Sequence, residues 1–296
     1  MATLPPPATH QCTFCGTLSA GARSCPGCGA PVDVTLQVSN SGWVEMPAVR
    51  DMTHIQLGQS SLQIEGALVP VADFSLVPGD GIYFGHHDLL WKDVGVPVVQ
   101  MNLRGGWSRM MAGLPLHMLT ATGPGHIALS RDHPGEMMAI PIHPAHSVDV
   151  REHLFVCATS AVAYNWNRAG VWYQTRSGSE TETHYPMGMY MDTFSSPQAG
   201  LLVLHTQGNA YLRQLGPGES ILVKPQAFVY KDTSVGCHLH FEHPANTFRT
   251  WRSWGERYLW LRLVGPGRVA VQSAAEHHHD EGGRIVGSSS STRQQW

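Results

Sequence analysis

Four cysteines near the amino terminus form the most specific chemical pattern in the chain. They are arranged as two CxxC pairs, Cys12/Cys15 and Cys25/Cys28, with nine residues between the pairs. Each CxxC turn directs two thiolates toward a common point, and two such turns complete the tetrahedral sulfur shell that zinc prefers. Because protein would fill all four ligand positions, we predict a zinc ribbon whose ion is structural.

A weaker metal candidate lies in the segment CHLHFEH. On a strand, His238, His240 and Glu242 share one face, and two imidazoles with a carboxylate could hold Fe, Mn or Zn. Cupin enzymes use a similar HxH strand but place the carboxylate further on. Aligned with the internal repeat described below, His238 and His240 correspond to the apolar Val99 and Met101. We therefore predict that this face turns inward and buries the histidines, with a second metal site as the alternative.

Other histidine clusters are weaker candidates. The triplet at 86–88 (His-His-Asp) and the pair His143 and His146 stand in turn or strand-start positions, where exposed polar residues are common. The sequence contains no GxSxG elbow, Walker loop, dinucleotide fingerprint or HExxH helix. We therefore expect no enzymatic activity.

The composition is that of an ordinary globular protein, with 296 residues, 42% hydrophobic residues and a net charge of −3. This charge gives no electrostatic basis for binding nucleic acid or an anionic membrane. No apolar run approaches the ~18 residues of a membrane span, and no secretory signal is evident at the start. Cys157 and Cys237 are expected to be free core thiols, as in a reducing compartment. We expect a cytoplasmic protein.

The body of the chain repeats itself. Three landmarks occur twice in the same order: Leu-x-Pro-Gly-acid, aromatic-Lys-Asp and Gly-Pro-Gly. They stand at 76–80, 91–93 and 123–125 in one copy and at 215–219, 230–232 and 265–267 in another. A fainter third copy lies between these two, with 142–147 in the place of the first landmark, 154–158 as the following strand and 208–212 in the place of Gly-Pro-Gly. The repeat predicts three units of about 70 residues.

Short runs rich in branched and aromatic residues, bounded by Gly or Pro, predict strands within each unit. Only 105–114 and 248–255 have a helical pattern, and the polar stretch 165–183 predicts a protruding hairpin or loop. Units that cannot bury a face alone should pack into one closed β-sandwich or barrel with pseudo-three-fold symmetry. The expected organisation is a ribbon at 1–31, a linker at 32–50, a β domain at 51–275 (units at about 51–130, 131–212 and 213–275) and a disordered tail at 276–296.

These motifs resemble the altered-inheritance-of-mitochondria, or mitochondrial biogenesis, family. The resemblance covers roughly 53–273, and its most specific piece is LWLRLVGPGRVAVQS at 259–273. It implies a fold similar to the tryptophan RNA-binding attenuator protein, with a double-stranded β-helix repeated three times in one chain. The fungal members are associated with mitochondrial membrane organisation. The resemblance supplies no catalytic residues, and the RNA-binding role of the attenuator protein does not follow from its fold.

These observations favour a non-enzymatic binding or scaffold protein. The ribbon would dock on a protein partner, and the β body would offer a second surface, with a homo-oligomer also open. Two alternatives remain: a cupin-like metalloenzyme that uses His238 and His240, and nucleic-acid binding through the ribbon. The second has little basic charge to support it, with only Arg23 and His10 near the cysteines.

Overall fold

The computed structural model describes residues 9–11, 18–20, 42–45, 53–101, 118–242, 258–275 and 284–289. The four cysteines of the predicted ribbon, both segments with a helical pattern and most of the linker lie outside these ranges. Five strands precede the repeated body: β1 (Thr9–Gln11), β2 (Leu18–Ala20), β3 (Val44–Glu45), β4 (Thr53–Leu57) and β5 (Ser60–Glu65). None of the described segments forms a helix long and apolar enough to cross a membrane.

The repeated body consists of three six-stranded units. Unit 1 contains β6 (Val71–Leu76), β7 (Gly81–Gly85), β8 (Leu89–Lys92), β9 (Val98–Gln100), β10 (Met118–Thr122) and β11 (Gly125–Ser130). Unit 2 contains β12 (Glu136–Ile142), β13 (Ser147–Arg151), β14 (Phe155–Thr159), β15 (Ala163–Arg168), the inserted hairpin β16 (Tyr173–Ser177) and β17 (Glu180–His184), then β18 (Tyr190–Ser195) and β19 (Gly200–Thr206). Unit 3 contains β20 (Ala210–Leu215), β21 (Ser220–Val223), β22 (Phe228–Asp232), β23 (Gly236–Glu242), β24 (Tyr258–Val264) and β25 (Gly267–Gln272), and β26 (Arg284–Ser288) follows.

The same strand pairing occurs in every unit. With the inserted hairpin set aside, the sixth strand pairs with the first and third, and the fifth pairs with the second and fourth. All of these pairs are antiparallel. The register between third and sixth strands shifts at the same place in each unit: between Ala128/Leu129, between Phe155/Cys157 and between Phe228/Tyr230. The three-fold repeat predicted from the landmarks is therefore a repeat of structure.

Neighbouring units share their sheets. The second strand of one unit pairs with the third strand of the next, as β7 with β14 and β13 with β22. These two junctions create a six-stranded sheet, β12-β19-β14-β7-β10-β9, and a seven-stranded sheet, β15-β18-β13-β22-β25-β20-β3. The outer sheets are β4-β5-β6-β11-β8 at one end and β21-β24-β23 at the other. The mainly β, sandwich-like architecture agrees with the fold class predicted from the sequence.

Each unit has its own apolar core, and the shared sheets are buried on both faces. In β7, Ile82 and Phe84 point into the core of unit 1, while Tyr83 points into the core of unit 2. This placement explains why β7 is a continuous apolar run, because a strand covered on both sides has no polar face. The third core lies between β22, β25 and the outer sheet of unit 3.

The aspartate of the aromatic-Lys-Asp landmark links two landmarks of the repeat. Asp93 Oδ2 accepts a hydrogen bond from the backbone N–H of His126, 2.8 Å away, just after Gly-Pro-Gly. Asp232 Oδ2 accepts the equivalent bond from the N–H of Arg268 at 2.7 Å. The aspartate of aromatic-Lys-Asp therefore fixes the start of the strand that begins at Gly-Pro-Gly, which explains why the two motifs recur together.

The last glycine of each Gly-Pro-Gly is required by its backbone and its surroundings. Gly125 has φ 132° and Gly267 has φ 142°, conformations that side chains rarely adopt. A Cβ at either position would lie 2.7 Å from a valine Cγ2, that of Val96 or Val235 respectively. Glycine at these positions therefore lets the Gly-Pro-Gly turn pack closely against Val96 in unit 1 and Val235 in unit 3.

Three segments singled out in the sequence have a defined place among the strands. The polar stretch 165–183 contains the expected hairpin, β16–β17. Segment 208–212 was assigned to the end of the second unit, but it enters β20, which pairs with β25 of unit 3. In unit 2 the position of Gly125, the last glycine of Gly-Pro-Gly, is held by Gly200 at the start of β19. The tail predicted to be disordered contains β26, which pairs with β16, and Ile285 packs against the core of unit 3. Its apolar pair Ile285-Val286 was too short to register as periodic.

Candidate binding pocket between units 1 and 2

A cavity of about 200 Å³ lies where unit 1 meets unit 2. We call it the junction pocket. It is lined by Gly85, His86, His87, Asp88, Met118, Arg131, His153, Phe155, Tyr164 and Asp192. The short 3₁₀ helix His86–Asp88, between β7 and β8, supplies one wall. The start of β14 together with β15 and β18 supplies the other.

Asp88 supplies a buried carboxyl group to the pocket. Its side chain is buried, and Oδ1 accepts a hydrogen bond from Arg131 Nη1 at 3.3 Å. Its Oδ2 has no hydrogen-bond partner among the described residues. Burial raises the pKa of Asp88 to about 6, although the charge of Arg131 and its hydrogen bond act in the opposite direction. A buried acceptor without a donor is a site that a ligand can satisfy.

Arg131 holds the two units together at the pocket. It follows β11, and besides Asp88 its Nη1 approaches the carbonyl oxygen of Phe155 at 3.5 Å. Its Nη2 donates to the carbonyl oxygen of His153. One guanidinium thus spans a carboxylate of unit 1 and two carbonyl groups of unit 2, which fixes the pocket wall.

The opposite wall combines a second carboxylate with aromatic rings. Tyr164 donates its hydroxyl hydrogen to Asp192 Oδ1 at 2.8 Å. Phe155 stacks with Tyr83 at a ring-centroid distance of 5.6 Å and with Tyr164 at 6.5 Å. Burial raises the pKa of Tyr83, so its phenol stays protonated. Two carboxylates beside aromatic faces form an environment that suits a cation.

The pocket breaks the three-fold pattern. The strand registers place Leu154 of unit 2 and Ala227 of unit 3 at the position of Asp88, and Thr206 and Ser273 at the position of Arg131. The acid–base pair is therefore confined to unit 1, whereas the surrounding fold is repeated. A departure from a repeated framework at a cavity points to a function of that cavity, because packing alone does not require it.

Sequence reasoning treated 86–88 as exposed polar residues of a turn. His86 and His87 are indeed exposed, with ring centroids 5.1 Å apart, but Asp88 is buried. The error arose because its partner Arg131 lies 43 positions away. His143 and His146 are exposed in the turn between β12 and β13, as expected.

The histidines of β23 point outward, contrary to the inward face that was predicted. His238 and Glu242 are exposed and His240 is half-buried, whereas Leu239 between them is buried in the core of unit 3. The alignment with Val99 misled because Val99 is itself 60% exposed. Glu242 Oε2 accepts a hydrogen bond from Trp260 Nε1 at 2.9 Å.

Within the described ranges, no three His, Cys, Asp or Glu side chains are grouped so that they could hold a metal ion. A metal on the β23 face therefore stays a prediction from sequence. The cysteines Cys12, Cys15, Cys25 and Cys28 lie outside the described residues, and β1 and β2, which flank the first pair in sequence, form an antiparallel hairpin. Cys157 and Cys237 are free thiols, as predicted.

The comparisons with known proteins bear on the body that carries the pocket. The family model described as mitochondrial biogenesis AIM24 matches residues 62–274. The chain belongs to the AIM24 family. The AIM24 match begins in β5 and ends after β25, so it covers all three units. A crystal structure of a Streptococcus pyogenes protein is similar to this AIM24 chain with a TM-score of 0.54 and 16% identity, covering 73% of this chain and 94% of that one. That likeness shows a shared fold. No match was found among curated proteins.

Proposed function

We propose that this AIM24 protein is a non-enzymatic binding and scaffold protein with two recognition elements. Cys12, Cys15, Cys25 and Cys28 would hold a structural zinc ion in a ribbon that docks on a protein partner, since four thiolates leave no open coordination position. The junction pocket would be the second binding surface. The observation that carries the proposal is Asp88, which lines the cavity and whose buried Oδ2 has no hydrogen-bond donor among the described residues.

The ligand of the junction pocket would be a cationic side chain of a protein partner. Asp88 and Asp192 provide negative charge, and Arg131 neutralises part of it. Phe155 and Tyr164 line the cavity and provide the aromatic surface against which an alkylammonium chain would pack. A lysine side chain of the partner would donate to Asp88 Oδ2 and satisfy the buried acceptor.

Recognition suits this pocket better than turnover. The polar groups are held in place by the fold: Arg131 by backbone carbonyls of unit 2, and Tyr164 by Asp192. Such groups present a fixed shape and charge to a partner. The sequence motifs of the common nucleophile and phosphate-binding sites are also missing from the chain.

Titration of the purified protein with N-acetyl-lysine amide, followed by NMR, tests the pocket. We expect binding by the wild type, at least tenfold weaker binding by Asp88→Asn, and no effect of the exposed control Glu180→Gln. N-acetyl-norleucine amide, which lacks the charge, should not bind. Equal binding by wild type and Asp88→Asn would reject the pocket as the second surface.

The docking role of the ribbon needs a separate test. Full-length protein, a form lacking residues 1–30 and the double variant Cys12→Ser/Cys15→Ser are used as bait, with zinc counted in the same samples. Cys237→Ser serves as the matched cysteine control. We expect the truncated and double variants to lose both zinc and the partner. If the truncated form retains every partner, the ribbon does not dock.

A further inference from the structure

Two strands that could form a third junction of the same kind, β8 and β21, lie at sheet edges within the described residues. At each junction the second strand of one unit pairs with the third strand of the next unit. Unit 3 has its own second strand, β21, and unit 1 has its own third strand, β8. Within the described part of the chain, each of them is the last strand of its sheet, β21 beside β24 and β8 beside β11.

The side chains of β8 are exposed where their counterparts are buried. Leu90 is 47% exposed and Trp91 is 46% exposed. The residues at the same two positions in units 2 and 3 are 1% exposed or less: Val156, Cys157, Val229 and Tyr230. The difference comes from the neighbour, because those four lie in third strands that are paired along both edges.

The edge of β21 shows the same difference. Leu222 is 37% exposed, whereas its counterparts Tyr83 and Asp149 are 2% and 7% exposed. Both counterparts lie in second strands that are covered by the next unit. An apolar residue on an unpaired edge strand offers a surface for another strand to add to.

We propose that β21 of one chain pairs with β8 of a second copy of the same chain. The pairing would be antiparallel and would repeat the two internal junctions. In those, Ser160 N–H donates to the Gly81 carbonyl at 2.9 Å, and Thr233 N–H donates to the Ser147 carbonyl at 3.0 Å. The register then places Val94 N–H opposite the Ser220 carbonyl.

In the proposed pairing, Lys92 of one copy would lie opposite Leu222 of the other, as Ala158 lies opposite Tyr83 at the first junction. Val94 is fully exposed in one chain, which leaves its backbone accessible for this contact. Trp91 would then be covered by β21 of the neighbouring copy, as Cys157 is covered by β7.

A second copy fits these edges better than an unrelated protein does. The chain already contains two examples of the junction, and the edge that matches β8 is carried by β21 of the same sequence. Such contacts join different surfaces of two molecules, so they add copies head to tail. This association uses neither the junction pocket nor the cysteine-rich segment, and it is therefore independent of the proposed function.

The test uses one charge on each edge. Trp91→Lys blocks β8 but leaves β21 intact, and Leu222→Lys blocks β21 but leaves β8 intact. Leu68→Lys changes a leucine that is also exposed, at 72%, but lies outside both edges, and it serves as the control. Molar mass is measured by light scattering over a hundredfold range of protein concentration, with circular dichroism to verify folding.

We expect the wild type and Leu68→Lys to form multimers that grow with concentration. Each edge variant alone should be a monomer, and an equimolar mixture of the two should form a 1:1 dimer that grows no further. A monomeric wild type at every concentration, or a mixture that does not associate, would overturn the proposal.

A second variant distinguishes association from closure within one chain. With Val94→Cys and Ser220→Cys in the same chain, oxidation should give a ladder of cross-linked multimers on a non-reducing gel, which the wild type does not give. A disulfide formed within single chains, without multimers, would mean that β21 reaches β8 of its own molecule and would refute the pairing of copies.

Discussion

Lys231 Nζ lies 2.9 Å from Asp149 Oδ2, and this buried ion pair joins units 2 and 3 across the pairing of β13 with β22. The same two positions at the first junction hold Ala158 and Tyr83, which also face each other across the sheet. The junction can therefore be built with or without charges. Once one charge is buried there, however, the other is needed, since a lone buried ion is strongly destabilising.

We predict that Lys231→Met lowers the free energy of unfolding by about 3 kcal/mol, because it leaves the Asp149 carboxylate buried without its cation. Lys92→Met, at the equivalent position on the exposed strand β8, should change it by less than about 0.5 kcal/mol. The double variant Asp149→Asn/Lys231→Met should cost less than the sum of its two single changes. Urea unfolding is measured for the wild type, Lys231→Met, Asp149→Asn, the double variant and Lys92→Met, and equal effects of Lys231→Met and Lys92→Met would contradict the prediction.

Replacing the last glycine of a Gly-Pro-Gly landmark should be costly. Gly267→Ala introduces a Cβ that would lie 2.7 Å from Val235 Cγ2, at a backbone φ of 142°. We expect a loss of about 2 kcal/mol or more in unfolding free energy. Gly95→Ala, where a Cβ has no neighbour within 4 Å among the described atoms, is the control. Thermal unfolding compares the two, and similar midpoints would show that the turn adapts to a side chain.

The buried carboxyl of Asp88 predicts a pH dependence. Its pKa is raised from 3.8 to about 6, so the folded protein favours the protonated form. The stabilisation from this group is complete below pH 3.8 and is lost as pH rises through 6. The unfolding free energy of the wild type, minus that of Asp88→Asn, should therefore fall between pH 4 and pH 6, by an amount on the order of 2 kcal/mol. A difference that is constant across this range in urea titrations would show that the carboxyl is not buried in its neutral form.

The thiols should fall into two classes. Burial raises the pKa of Cys237 to about 12 and that of Cys157 well above its ordinary value, so neither is a reactive thiolate at neutral pH. We predict one zinc ion per native chain by elemental analysis, lost completely in Cys12→Ser/Cys15→Ser. After chelation of zinc, four of the six thiols should react with a thiol reagent without denaturant. A second zinc that survives the double substitution would instead support a metal on the β23 face.

The number of units could be predicted from the sequence because the landmarks are coupled by contacts. Asp93 and Asp232 each bond to the strand start that follows a Gly-Pro-Gly, so the motifs and the turn recur as one structure. The sharing of sheets could not be predicted in this way. The pairing of β7 with β14 depends on which strand edges meet in space, and β7 is apolar on both faces for reasons that its own sequence does not reveal.

The residues of the junction pocket could be predicted from the sequence less well than the fold. In the sequence, Asp88 has the setting of an exposed turn residue. Its pairing with Arg131, which follows β11, is visible only in the structure. His238 was aligned correctly with Val99, but an apolar residue at a sheet surface does not establish that its face is covered. The signal that would have pointed to the pocket is the failure of the repeat at this place, where Ala227 and Ser273 stand in unit 3.

The second strands of units 1 and 2 each pair with the third strand of the following unit, so unit 2 is paired with a neighbour along two strand edges. Because both junctions connect strands of one polypeptide, their formation does not depend on protein concentration.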